Sequence, residues 1–182
     1  YDYKNIQIAI VPGGAGQIFT NAGAARNYGA DANLDFIVSE NFKVSVGLGW
    51  LDAKYKQYLN AQGFTALGAA INIADAKGRS LNFAPSASGN VSATYTMPTS
   101  VGTFAASANL AYQSHYYISP ALVPIIPGRA LLAANIEWTA DGDKPWGVRV
   151  WGRNLTNQYV GAGLTSSANG WYGTYAEPRV FG

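Results

Sequence analysis

Apolar and polar side chains alternate with a period of two along most of this chain. Val44, Val46, Leu48 and Trp50 alternate with Lys43, Ser45, Gly47 and Gly49. The same pattern recurs around Ile6, Ile8 and Ile10; around Leu34, Phe36 and Val38; and around Val91, Ala93, Tyr95 and Met97. It continues through Phe104, Ala106, Ala108, Leu110 and Tyr112, and through Leu132, Ala134, Ile136 and Trp138. Such alternation predicts strands with one apolar and one polar face. The stretch GVRVWGRNLTN, 147–157, makes a seventh strand, with Val148 and Val150 on one face and Arg149 and Arg153 on the other. An eighth is expected to begin near Tyr175.

The connections between these strands alternate in length. Short ones fall at 39–42, 98–102 and 141–145, and long ones at roughly 13–27, 53–86, 114–129 and 158–174. Within the long 53–86 segment, Phe64–Ile73 reads as a short loop helix. Up-and-down strands with short turns at one end and long loops at the other are the pattern of outer-membrane barrels.

The strand ends carry aromatic rings. Trp138 and Trp146 flank one short turn, Tyr95, Met97 and Phe104 flank another, and Phe42 lies in the third, while Trp50 and Tyr112 lie at the long-loop ends. Two aromatic belts are expected where rings sit at headgroup depth. The apolar series between them run for about 8–10 residues, close to the ~9–11 that a tilted strand needs to cross hydrocarbon. The alternative is a soluble β-sandwich whose core the rings cap. The polar face is mostly Ser, Asn, Thr, Gly and Ala, with charges at Asp35, Lys43, Glu137, Arg149 and Arg153. That face suits a wet lumen or open water. Small residues there, such as Gly47, Gly49, Ser92, Ser107 and Ala133, would fill a narrow barrel poorly and suit a wide one occupied by something else.

Composition agrees. Of 182 residues, 48% are hydrophobic and 12% charged, against the ~25% charged of soluble domains. The formal charge of +2, without a Lys/Arg run, gives no reason to expect nucleic acid. With no Cys, disulfides, thiolate zinc sites and Cys nucleophiles are excluded. His115 is the single histidine, so no His-based metal site or Ser-His-Asp centre can be assembled. The carboxylates are scattered without acid/base spacing, and Gly13–Gly16 does not continue into a phosphate-cradling helix. Neither an enzyme nor a bound cofactor is expected.

Five motifs in order carry a family resemblance: Asn21–Ala30 leading into ANLDFIVSENF, Leu51-Asp-Ala-Lys-Tyr55, Gly78–Pro85, Asn154-Leu-Thr-Asn-Gln-Tyr159 and Pro178-Arg179. Together they resemble the late strands of TonB-dependent outer-membrane receptors. The resemblance implies an all-β, antiparallel, up-and-down transmembrane barrel, of which 1–182 would form about the last eight strands of ~22. The plug domain and earlier strands would lie outside this sequence. It also implies active uptake of a scarce ligand such as a ferric siderophore, with outer-membrane lipid, the receptor's own plug and the TonB complex as partners. Asp35, Lys43, Glu137, Arg149 and Arg153 would face the lumen. There the two arginines would meet either plug carboxylates or the neighbouring Glu137. With the long loops outside, His115, Tyr116, Tyr117, Trp171 and Tyr172 are the candidate ligand contacts. A passive porin or small closed barrel is the alternative transport reading.

Overall fold

A computed structural model describes residues 1–10, 18–21, 23–142, 146–159, 161–167 and 170–182. In chain order the strands are β1 (Asp2–Lys4), β2 (Gln7–Ile10), β3 (Ile18–Asn21), β4 (Ala24–Ser39), β5 (Phe42–Gln57), β6 (Leu59–Phe64), β7 (Ala70–Asp75) and β8 (Ala87–Thr99). They continue with β9 (Gly102–Gln113), β10 (Tyr116–Tyr117), β11 (Ile125–Ile126), β12 (Arg129–Ala140), β13 (Gly147–Arg153), β14 (Gly161–Ser167), β15 (Gly170–Tyr175) and β16 (Val180–Phe181). Eight of them form one antiparallel sheet in the order β1-β4-β5-β8-β9-β12-β13-β16. The other eight form four two-stranded hairpins, β2-β3, β6-β7, β10-β11 and β14-β15. One hairpin sits in each long connection, and the short turns carry none. The predicted inequality of the two ends is therefore built into the topology.

Register fixes which side chains share a face. Phe36, Val44, Ala93, Ala108 and Ala134 lie opposite one another across β4, β5, β8, β9 and β12. Leu34, Val46, Val91, Leu110 and Leu132 form the next row. The opposite face carries Asp35, Ser45, Ser92, Asn109 and Ala133 in one row and Lys43, Thr94, Ser107, Asn135 and Trp151 in another. Among the described residues no second sheet covers the apolar face. Val150 stays 64% exposed, Ile136 61% and Leu48 56%. A soluble sandwich buries such a face between two layers. Here it is left for lipid, in a single sheet.

The two belts are present as ring contacts. At the short-turn end Trp138 packs edge-on to Trp146 at 5.0 Å and beside Phe104 at 6.2 Å, and Phe42 meets Tyr95 at 6.3 Å. At the other end Tyr28 stands edge-on to Trp50 at 5.7 Å. Phe42 to Trp50 spans eight residue steps of β5, about 27 Å of strand. A tilt of ~40° turns that into roughly 20 Å of membrane depth, close to the apolar band of such barrels.

The buried apolar cluster lies outside this sheet's lipid-facing span, under the loops. Ala25, Tyr55, Tyr58, Ala61, Ile73 and Ala76 form it, with Ile6, Leu81 and Ala121 packed against it. Burial raises the Tyr58 phenol above its ordinary pKa. Gly63 sits so close to Ile73 and Ala121 that an added Cβ would lie 2.8 and 2.9 Å from their side chains. That close approach lets the β6-β7 hairpin pack flat.

Three expectations are corrected. The alternation at Ile6–Ile10 marks a loop hairpin arm, β2, and the sheet strand is β1. Asn5, with φ of 56°, turns the chain between them. Period-two patterning is shared by every half-covered strand, so it could not separate the two. The expected helix at 64–73 is instead the tip and second arm of the β6-β7 hairpin. Thr65 N–H donates to Ala69 O at 2.8 Å, Gly68 takes φ of 87°, and the β-branched Ile71 and Ile73 suit a strand. The eighth sheet strand is β16, whereas Tyr175 ends the hairpin strand β15. Part of the 13–27 loop and of the 141–145 turn, including Gly13–Gly16, lies outside the described residues.

This facing predicts a two-sided response to charge. In the full-length gene product folded into vesicles, Val91→Arg should cost about 2–4 kcal/mol in urea titration. Thr94→Arg, on the opposite face, should cost less than about 1 kcal/mol. Equal losses would contradict lipid contact on the Val91 side.

Candidate functional site

Two regions hold the candidate residues: the polar face of the sheet and the loop cluster at its outer end. On the polar face, short side chains are tied laterally from strand to strand. Ser45 Oγ donates to Asp35 Oδ1 at 2.5 Å, Asn109 Nδ2 to Ser92 Oγ at 2.7 Å and Asn135 Nδ2 to Ser107 Oγ at 2.6 Å. Gly47 lies between Asn33 and Asn90, and both carboxamide oxygens approach the space its missing Cβ leaves. A trough of about 620 Å³ runs over this face, lined by Thr94, Asn109, Asn135, Arg149, Trp151 and Arg153 among others.

The charged candidates share that face but not one cluster. Glu137 lies directly opposite Arg149 in the β12–β13 register, yet no ion pair joins them among the described residues. Glu137 instead accepts the Thr139 hydroxyl at 3.4 Å. Arg153 pairs with Glu177 at 3.0 Å and lies 5.1 Å over the Trp151 ring. Lys43 is exposed at the short-turn end and has no ion pair among the described residues. Arg149 is thus an exposed guanidinium in a trough of amides and hydroxyls, able to hold a carboxylate or phosphate bidentately.

Beyond the outer end of the sheet, His115, Tyr116 and Tyr117 come together with a residue that the sequence did not single out. His115 packs edge-on to Tyr117 at 5.7 Å, and Phe83 lies 6.1 Å from Tyr116. Phe83 N–H donates to Tyr117 O at 2.8 Å, joining the approach to β8 to the β9–β12 loop. Phe83 is 66% exposed and takes φ of 58°. A bulky ring held in the left-handed region and left open to solvent costs stability, and such strain gathers at binding sites. Nothing in the local pattern marks Phe83. Only its neighbours across the loops do.

Trp171 and Tyr172 are placed differently. Trp171 Nε1 donates to Thr65 O at 3.1 Å and its ring stands edge-on to Phe64 at 5.4 Å. It fastens the β14-β15 hairpin to the tip of β6-β7. Tyr172 is exposed on that hairpin, and no ring contact joins it to the Phe83–Tyr117 group among the described residues. Arg79 Nη1 donates to Pro120 O at 2.8 Å, tying the segment after β7 to the next loop as well. No group of three or more His, Asp or Glu side chains able to hold a metal occurs among the described residues.

Residues 1–155 match the sequence family described as "TonB dependent receptor-like, beta-barrel". No match is found among curated proteins. Three solved structures are similar in fold. The ferric yersiniabactin uptake receptor FyuA of Yersinia pestis aligns with TM-score 0.77 at 13% identity, over 99% of this chain and 25% of its own. The siderophore receptor PiuA of Acinetobacter baumannii gives TM-score 0.69 at 17% identity, over 98% of this chain and 23% of its own. The ferric preacinetobactin receptor BauA of the same organism gives 0.66 at 19%, over 96% and 24%. This chain therefore spans about a quarter of the length of each. A family match over most of the sequence, on a sheet whose apolar face is open to lipid, places the chain in the outer membrane as a member of the TonB-dependent receptor-like β-barrel family.

Proposed function

We propose that this chain is wall and mouth of an outer-membrane receptor that actively takes up a ferric siderophore, energised through TonB. The observation that carries the reading is the two-faced sheet. Lipid is offered one side, and a polar trough holding an arginine with no ion pair among the described residues is offered to whatever fills the lumen. The similar structures are receptors for ferric yersiniabactin, ferric preacinetobactin and siderophores, and the proposed ligand class follows theirs.

The sheet also supports a larger closed barrel. Among the described residues, β1 with Tyr1 covers only the 24–27 end of β4, and β16 with Gly182 meets only 151–153 of β13. The outer edges of β4 and β13 would leave unpaired backbone groups in hydrocarbon, which only further strands can satisfy. A barrel of about 22 strands has room for a plug. A plug carboxylate is then the natural partner of Arg149, which its neighbour Glu137 does not engage. At the mouth, Phe83, His115, Tyr116 and Tyr117 supply rigid aromatic surface that can bind a ligand at little cost in side-chain freedom.

The proposal is tested by uptake of radiolabelled ferric siderophores into cells carrying the full-length gene, with and without TonB. Saturable, TonB-dependent accumulation is expected. Iron entry independent of TonB would favour a passive pore. Phe83→Ala and Tyr116→Ala should each weaken ligand binding to whole cells roughly tenfold, a loss of about 1–1.5 kcal/mol of aromatic contact. Trp171→Phe removes one hydrogen bond but keeps the ring, so it should loosen the outer hairpins by about 1 kcal/mol. Limited proteolysis should register that as faster cleavage near Thr65, while sheet stability stays unchanged.

A further inference from the structure

The lipid-facing side of the sheet is not uniformly filled. Along most rows, bulky side chains cover the backbone. At the outer end of β8 they do not. Gly89 and Ala87 form a floor there, continued by Val91. Leu48 and Trp50 of β5 form one wall, and Leu110 and Tyr112 of β9 the other. The result is an apolar slot of about 460 Å³, two strand spacings (~9.5 Å) wide, at the outer end of the membrane span. At Gly89 an added Cβ would lie 3.0 Å from Gly47 O and 3.3 Å from Leu48 Cδ2, so this part of the floor stays bare.

The same outward face changes chemistry above the β5 wall of the slot and on the strands beside it, β4 and β1. Arg26 lies opposite Lys54, Tyr28 opposite Asp52 and Ala30 opposite Trp50. Tyr28 stands against the Trp50 ring and donates its hydroxyl to Asp52 Oδ2 at 2.6 Å. Lys54 pairs with Asp52 at 3.1 Å, and Arg26 and Lys56 both reach Asp2 Oδ1, at 3.0 and 3.3 Å. Three cations thus face two carboxylates, and each cation stays about half exposed. Lys54 is four residues beyond Trp50, about 13 Å along the strand and roughly 10 Å in depth, at the height of lipid headgroups.

We propose that this slot and the basic strip above it bind one outer-leaflet lipid, with an acyl chain along β8 and a phosphorylated headgroup at Arg26, Lys54 and Lys56. An acyl chain fills an apolar slot that water would not solvate well. A phosphate supplies the negative charge that the two carboxylates leave short. Neither half would hold tightly alone, because exposed cations gain little from a free anion in water. Joined in one molecule, the two contacts act together. The proposal uses the outer-membrane location and is independent of what the receptor transports.

The test is native mass spectrometry of the full-length gene product after exchange into mild detergent. The probes are phosphatidylglycerol and phosphatidylcholine of identical chains. One phosphatidylglycerol should be retained in preference to phosphatidylcholine by about threefold to tenfold. The double variant Lys54→Gln/Lys56→Gln should lose that preference. It leaves Asp52 its Tyr28 partner and Asp2 its Arg26 partner, and shifted gel mobility before heating confirms that it still folds. Ala87→Leu, which fills the slot, should lower retention of both lipids. Excess inorganic phosphate should displace neither. Equal retention of the two lipids, unchanged retention in either variant, or displacement by phosphate alone would overturn the assignment.

Discussion

Everything in this molecule follows from one requirement: in hydrocarbon, a strand's N–H and C=O groups can be satisfied only by another strand. The ladder between β4 and β13 meets that requirement with antiparallel neighbours whose register shifts only at the two ends of β4–β5. Because the sheet supplies its own hydrogen bonds, its outward side chains need only be apolar and need not interlock. Alanine, glycine, valine and phenylalanine share that face, and large residues stay half exposed. An ordinary domain would be unstable with such a surface. Here the lipid completes it.

The same requirement sends specific packing elsewhere. The buried cluster around Tyr55, Tyr58, Ala61 and Ile73 lies where the strands leave the membrane. There the chain returns to water and must bury its apolar groups against itself. Each long connection does so as a hairpin that meets its own backbone needs. β6-β7 is the hub: Phe64 and Thr65 hold Trp171, Gly63 fits against Ala121, and the nearby Arg79 holds Pro120. The Phe83–Tyr117 group sits beside this hub on loops it helps to fix, so its rings are presented by a scaffold rather than by free chain.

Sequence patterning revealed the fold well where membrane physics is severe. Alternation, belt aromatics and unequal connections located the sheet from β4 to β13, and the faces of Lys43, Glu137, Arg149 and Arg153 follow from position parity alone. It failed where the chain is outside the lipid. β2 alternates as well as any wall strand, and only Asn5 and the partner strands distinguish the two. Phe64–Ile73 has a helical balance of alanine and leucine that the Gly68 turn overrides. The candidate site was legible only as residue types. His115 to Tyr117 are neighbours in the sequence, and the structure adds Phe83 beside Tyr116. Trp171 was chosen by residue type, and its indole N–H also bonds Thr65 O. Phe83 was missed because its backbone strain and its neighbours are tertiary facts.

Register is what keeps the two faces apart. A shift of one residue would turn Lys43, Glu137 and Arg149 into lipid and the valines into the lumen, so slippage is heavily penalised. The aromatic belts oppose sliding along the membrane normal, since moving Trp138 or Trp50 off headgroup depth costs their polar tips a wet surface. Lateral pairs such as Asn109–Ser92 and Asn135–Ser107 oppose it from the inside, because each bond exists in one register only. The bulges near Ala24 and Ser39 lie at the two ends of the β4–β5 ladder, where an extra residue can be absorbed without disturbing the span. The inward polar ladder therefore does more than wet the lumen. It holds Arg149 and Trp151 at fixed positions on the wall, and only a wall held in this way can present one constant inward surface.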